Sequence, residues 1–261
     1  MKILWATTFS ADMWQTSARH LVETFVATGT PGDLVAYTEG MDLPPTPNAR
    51  GVRLEGDTFL SNFLRDNAAV IPAPLGGKAK EPLCKCRSRP LDVHSKQHRL
   101  PCVGYWFCKN AFRWLRKVRS AQLAHHSHPD HDIMIWVDSD ATFLKTTPPE
   151  VVASWFEPDL ACVYVKSRRK AVETGVVGYH LRNGGRKLID AMADRYSSGR
   201  FRKDSRWDDC VQLERAMGEA KVRTRDVATD VGPRDTVIQF SPLGPYLGHE
   251  KGLHRRTHII S

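Results

Sequence analysis

Apolar side chains occupy most of Lys2-Ile-Leu-Trp-Ala-Thr-Thr-Phe9, the pattern of a strand buried on both faces. Between Thr16 and Thr28, Leu21, Val22, Phe25 and Val26 recur at helical spacing, and Asp33-Leu-Val-Ala-Tyr-Thr38 repeats the strand signal. Strand, helix, strand in this order predicts a β-α-β unit, and with it a parallel sheet of the α/β class. From Leu43 to Asp92 the chain is rich in Pro, Gly and Lys, with a helix expected only over Phe59 to Ala69, and this stretch reads as an excursion from the core. A longer helix is expected over Tyr105 to His125. Phe107, Ala111, Phe112, Leu115 and Val118 form its apolar stripe, and Lys109, Arg113, Arg116 and Arg119 a basic outer face. After the polar turn His125-His-Ser-His-Pro-Asp-His131, the apolar run Ile133-Met-Ile-Trp-Val137 has strand length and ends in Asp138-Ser139-Asp140. Strands are further expected at Leu160 to Val165, Gly175 to Tyr179 and Thr236 to Phe240, and helices at Gly185 to Tyr196 and Trp207 to Met217. There is no internal repeat.

Length fits one domain over residues 1–261 with an irregular basic segment at about 70–108, because a chain of 261 residues can bury a sizeable core. No apolar run approaches the roughly 18 residues needed to span a bilayer, and no secretory signal is recognisable, so a soluble, cytoplasmic protein is expected, in the host cytoplasm if it is viral. On that reading the six cysteines are thiols or metal ligands, not disulfides. Lys plus Arg number 38 against 29 Asp plus Glu. The excess is local: from Lys78 to Arg119 there are twelve Lys or Arg, opposed only by Glu81 and Asp92. Such a concentration implies an anionic ligand.

Three groups of residues carry candidate chemistry. In Trp136-Val-Asp138-Ser139-Asp140 two carboxylates leave a buried strand one residue apart; in an extended segment they share a face and can address one cation and a diphosphate bound to it. Asp-x-Asp also serves as an ordinary turn or helix cap. Continued as Asp138-Ser-Asp140-Ala-Thr142, it matches the signature of haloacid-dehalogenase-like Mg²⁺-dependent phosphatases, which place it on the first core strand, whereas here at least two strands come earlier. The second group is Cys84, Cys86, His94, His98, Cys102 and Cys108, six ligands in 25 residues, which could hold a structural zinc ion (Zn²⁺) although their spacing is irregular. The third is the aromatic set Tyr105, Trp106, Phe107 and Trp114 among basic residues, which fits a non-catalytic zinc-containing nucleic-acid-binding protein.

Several segments, in order along nearly the whole chain, resemble the nucleotide-sugar-dependent glycosyltransferases of the GT-A fold, especially small viral, phage or bacterial ones. They are Tyr37-Thr-Glu39-Gly40, Arg116-Lys117-Val118, Ile135-Trp-Val-Asp138-Ser-Asp140, Glu173-Thr174-Gly175-Val-Val-Gly178, Trp207-Asp208-Asp209-Cys210 and Ser241 to Gly252. The resemblance implies a Rossmann-like mixed, mainly parallel sheet flanked by helices, here with a Cys/His-containing basic insertion. It implies a Mn²⁺ or Mg²⁺ cofactor held by Asp138, Asp140 and His249, with Asp138 on the ribose or the metal. A nucleotide-sugar donor, expected as a UDP-sugar, would meet Asp138, Lys117, Lys251, Gly252 and Arg255. Glu173 and Asp209 become the acid/base or substrate-orienting carboxylates. With the basic window, the acceptor expected is DNA carrying a 5-hydroxymethylpyrimidine, as in phage DNA modification; the alternative is a cell-surface saccharide or lipid-linked acceptor met at an anionic membrane face.

Overall fold

The structure, a computed structural model, describes residues 1–68, 110–166, 172–228 and 237–249. Its centre is a seven-stranded sheet in the order β3-β2-β1-β4-β7-β6-β8. The strands are β1 (Ile3–Ser10), β2 (Asp33–Glu39), β3 (Ala49–Arg53), β4 (Ile133–Val137), β6 (Cys162–Lys166), β7 (Val172–His180) and β8 (Thr224–Asp226). β1, β2, β3 and β4 run parallel, β7 is antiparallel to both of its neighbours, and β8 is parallel to β6. This is the Rossmann-like, mixed and mainly parallel sheet flanked by helices that the resemblance implies. A separate two-stranded ladder joins β5 (Ala141–Phe143) to β9 (Leu247–His249).

The continuous apolar runs arise because both faces of the central strands are covered. On one face Leu4, Ala6, Met134, Trp136 and Val177 pack under the helices α4 (Ala111–Ser127), α6 (Arg186–Ser197) and α7 (Asp209–Ala220). On the other, Ile3, Trp5, Ile133, Ile135 and Val137 pack with α2 (Arg19–Ala27) and the ladder. There Trp5 meets Phe143 edge-on at 5.1 Å between ring centroids, and Phe25 meets the same ring at 5.2 Å. α2 follows a short helix, α1 (Ala11–Met13), and a π-turn over Trp14–Ala18, so the helical path begins earlier than its apolar spacing alone indicates. α5 (Pro149–Ala153) is a single short turn started by proline.

Four expectations are corrected. From residue 49 to the helix expected near Phe59 to Ala69, which is α3 (Thr58–Asn67), the supposed excursion belongs to the core: β3 pairs with β2, and Leu54, Leu60 and Phe63, the last two on α3, are buried. The strand was hidden because Ala-Arg-Gly-Val-Arg lies at the sheet edge, where backbone pairing and not an apolar face holds it. The expected strand at Thr236 to Phe240 is, over Val237–Phe240, a 3₁₀ turn that buries Ile238; a run this short does not distinguish the two by pattern. α7 starts at Asp209, two residues later than Trp207, because the Asp208 side chain accepts from Val211 N and caps it. The basic outer face of α4 is largely an inner one: Arg116 pairs with Glu39, Arg119 with Asp57, and Lys117 with Asp138 and Asp209. Residues 105–109 of that expected helix lie outside the described residues, as does the rest of the basic insertion. Among the described residues no helix is long and apolar enough to cross a membrane.

Candidate functional site

The chain crosses from β1 to β2 on one side and returns to β4 on the other, which opens a crevice at the carboxyl ends of β1 and β4, where open α/β sheets bind ligands. β4 delivers Asp138 there. The two carboxylates do not continue an extended strand, as the sequence reading had it. β4 stops at Val137, and Asp138-Ser139-Asp140 forms a turn closed by Ala141 N donating to Asp138 O at 3.0 Å. The turn feeds β5, whose partner β9 sets His249 opposite Ala141. That register carries His249 across 109 residues of sequence to Asp140, with Nε2 at 2.9 Å from Oδ1. The donor atoms of Asp138, Asp140 and His249 all lie within 4.8 Å of one another. Gly175 of β7 borders the same space: its carbonyl accepts from Asp138 N at 2.8 Å. A Cβ on it would lie 3.3 Å from His249 Cε1 and 3.6 Å from Asp138 Oδ2. The glycine keeps open the room that its neighbours' donor atoms face. Two carboxylates and one imidazole around an open space fit a divalent ion with mixed oxygen and nitrogen ligation.

Behind this group lies Lys117 of α4, with a side chain only 12% exposed. Its Nζ is 2.6 Å from Asp138 Oδ1 and 2.8 Å from Asp209 Oδ2, and it donates to Thr174 O at 2.6 Å. Burial opposes the ammonium charge, but the charges and hydrogen bonds of Asp138 and Asp209 outweigh it and hold the pKa above the ordinary lysine value. Asp138 Oδ1 also accepts from Trp136 Nε1 at 3.0 Å. Asp209, buried at the start of α7, accepts from Thr174 Oγ1 at 2.6 Å on Oδ2 and from Cys210 N at 3.1 Å on Oδ1. The neighbouring Asp208 is occupied with its cap and with Arg206 Nε at 2.7 Å, and burial raises its pKa. A cavity of about 10 Å³, lined by Lys117, Thr174 and Asp209 together with apolar side chains such as Val118, Ile189 and Met192, has room for about one water molecule.

The structure therefore brings Asp138, Asp140 and His249 together and joins Lys117 and Asp209 to them through Asp138. Glu173 is half-buried on β7, one position before Thr174, and opposite Val165 of β6. Lys251, Gly252, Arg255 and the cysteine set Cys84, Cys86, Cys102 and Cys108 with His94 and His98 lie outside the described residues. Thr174 was named in the sequence only as part of the Glu173-Thr174-Gly175 segment and given no role of its own; its hydroxyl and carbonyl tie β7 to Asp209 and Lys117, which a threonine in a strand does not signal by itself. Sequence reasoning also passed over Trp14, which stacks on Phe9 at the end of β1 with ring centroids 5.7 Å apart and 29° between planes.

Two other groups among the described residues bring three ligand-type side chains together. One is Asp208, Asp209 and Cys210, already committed as above. The other is His125, His126 and Asp190, at the far end of α4. There Arg186 donates to the His125 carbonyl and stands 3.5 Å from His125 Nδ1, and His125 Nε2 lies 3.1 Å from Asp190, so the group is tied together by its own contacts.

No protein-family model matches the chain, and no curated protein does. Among solved structures, mouse xyloside xylosyltransferase 1 in its apo form is similar over 87% of this chain and 86% of its own, with 8% identity and a TM-score of 0.47. A glycosyltransferase involved in the glycosylation of the major capsid of PBCV-1 is similar over 99% of this chain and 100% of its own, with 11% identity and a TM-score of 0.48.

Proposed function

We propose that this protein is a metal-dependent glycosyltransferase that moves a sugar from a nucleotide-sugar donor to a hydroxyl acceptor. The observation that carries the reading is the convergence of Asp138, Asp140 and His249 at the carboxyl end of β4, from segments far apart in sequence, beside a glycine that leaves the space among them open. Those three side chains would hold the ion. Carboxylates suit Mg²⁺ and Mn²⁺ and imidazole suits the later transition ions, so Mn²⁺ satisfies the set better than Mg²⁺. When bound, the ion supplies charge stabilisation to the departing nucleoside diphosphate. The chain's own contribution is to fix its ligands before the donor arrives and to receive the acceptor's proton. Asp209, with both oxygens engaged, acts by orientation, and Glu173 is the proposed proton acceptor. Trp14, partly exposed in the turn after α1 and stacked on the buried Phe9, is the aromatic side chain we propose for the donor base, which we take to be uracil.

The test is hydrolysis and transfer from a panel of nucleotide sugars with Mn²⁺. Wild-type protein turns over one of them, and Asp140→Ala and His249→Ala remove turnover while keeping the wild-type melting temperature. Vanadate-sensitive hydrolysis of phosphate monoesters with no use of nucleotide sugars would instead establish the phosphatase reading of Asp138 and Thr142.

For the acceptor we propose DNA carrying a hydroxymethylated pyrimidine, supported by the basic window of the sequence. Because Arg116 and Arg119 are paired with Glu39 and Asp57, phosphate contacts fall to the eight Lys and Arg from Lys78 to Lys109. Incubation with hydroxymethylcytosine or hydroxymethyluracil duplexes, followed by nucleoside mass analysis, decides it: no mass gain on either, with transfer to a saccharide, removes the DNA reading.

A further inference from the structure

The ammonium of Lys117 has three protons, and three acceptors take them: Asp138 Oδ1 at 2.6 Å, Asp209 Oδ2 at 2.8 Å and Thr174 O at 2.6 Å. None is left for a phosphate oxygen. A lysine expected to meet the donor is instead built into the wall behind it. The two carboxylates it joins come from different elements, β4's end and the start of α7, and without a cation between them their charges would push them apart in a region nearly closed to water.

The oxygens of Asp138 have separate surroundings. Oδ1 is held by two donors, Lys117 Nζ and Trp136 Nε1. Oδ2 faces the space before Gly175, where a Cβ would lie 3.6 Å from this oxygen and 3.5 Å from His249 Nε2. Oδ1 is thus held, and Oδ2 borders the place proposed for the ion. Outer partners that fix a ligating carboxylate in this way set metal affinity as well as geometry.

We infer that Lys117 is a positioning residue: by tying Asp138 Oδ1 to Asp209 and to the β7 backbone, it aims Asp138 Oδ2 at the divalent ion and makes no contact with the donor phosphates. This rests on the metal reading above. It also has a sign that distinguishes it from simple charge repulsion. A positive charge beside the site opposes a cation, so if Lys117 acted only through its charge, removing it would tighten metal binding. If it acts by positioning, removing it loosens metal binding.

The experiment measures binding of Mn²⁺ alone to the full chain, by loss of the free-ion electron paramagnetic resonance signal, together with the melting temperature. Lys117→Met is expected to weaken Mn²⁺ binding by about 10-fold or more, in the range found when outer partners of metal ligands are removed. The double variant Lys117→Met with Asp209→Asn removes the uncompensated buried charge, so it recovers thermal stability but keeps the weakened Mn²⁺ binding. Trp136→Phe, which takes only the second donor from Oδ1, gives a smaller loss in the same direction. Wild-type or tighter Mn²⁺ binding by folded Lys117→Met, or its restoration in the double variant, overturns the inference, because Lys117 would then serve only to neutralise Asp209. Should the single variant not fold, the double variant decides by the same comparison. Wild-type protein that binds no Mn²⁺ overturns the metal reading itself, and this inference with it.

Discussion

Gly175 shows how much one side chain decides at the residue scale. Its backbone makes no demand for glycine, but its missing Cβ leaves open the space that Asp138, Asp140 and His249 share. Gly175→Val is therefore expected to lower Mn²⁺ affinity roughly 100-fold, comparable to loss of a ligand's support, with a melting temperature near wild type. Isothermal titration with Mn²⁺ checks it; unchanged affinity would place the ion elsewhere. The grouping of Asp138, Asp140 and His249 was legible in sequence because a resemblance along the chain gave weight to two carboxylates after an apolar strand, a pattern that by itself also makes ordinary turns and caps, and because the same resemblance supplied the histidine. The reason for Gly175 was not legible, since it depends on what stands opposite a strand, and nothing local encodes that. Nor was the saturation of Lys117, which sequence reading assigned to the donor.

At the scale of elements, the ladder between β5 and β9 is what turns a distant histidine into a neighbour of Asp140. The turn that leads into β9 passes Gly244, where a Cβ would fall on the Gln239 carbonyl group, 2.7 Å from its carbon. Gly244→Ala should displace that turn, at a cost of about 1–3 kcal/mol typical of overpacking, and shift His249 away from Asp140. Thermal denaturation and Mn²⁺ titration together test it, the expected signature being a metal defect larger than the stability loss would produce alone. A second element-scale device is Asp57. One carboxylate oxygen caps α3 through Leu60 N at 2.9 Å, while the other takes both Nε and Nη2 of Arg119 from α4 at 3.1 and 3.0 Å. Asp57→Ala removes a cap and leaves a mostly buried guanidinium without this partner, so a loss of about 2–4 kcal/mol is expected in urea denaturation. A loss below about half a kcal/mol would mean that the pair is solvated and idle.

For the whole molecule, stability should depend on pH through His125. Burial lowers its pKa from 6.5 to about 4, against the pull of Asp190 and with the help of His126 and Arg186, the groups that face it. Between those two values the unfolded chain binds a proton that the folded chain refuses, so stability present above 6.5 is lost as pH falls toward 4. Urea midpoints at about pH 7 and about pH 4.5 should differ less in His125→Gln than in wild type; equal differences would assign acid sensitivity to other groups. The molecule's charge carries a separate expectation. If DNA is the acceptor, its use should fall steeply with added salt, whereas hydrolysis of the donor alone should not. Arg116→Glu and Arg119→Glu, each of which breaks an internal pair, are expected to reduce stability more than DNA binding, which a parallel melting and gel-shift series would show.

The sequence by itself determined the class of the fold, because strands buried on both faces and amphipathic helices write their periodicity into the chain. It also determined where the leading carboxylates emerge, since an apolar strand of five residues ends where polar residues begin. Tertiary structure alone decided the edge strand β3, the ladder that delivers His249, and the role of Lys117. Each depends on partners distant along the chain: pairing across an edge, register between short strands, and three acceptors gathered from β4, β7 and α7 around one ammonium. No local pattern records such a gathering, because the same Arg-Lys-Val on a helix faces water or the core according to what packs against it.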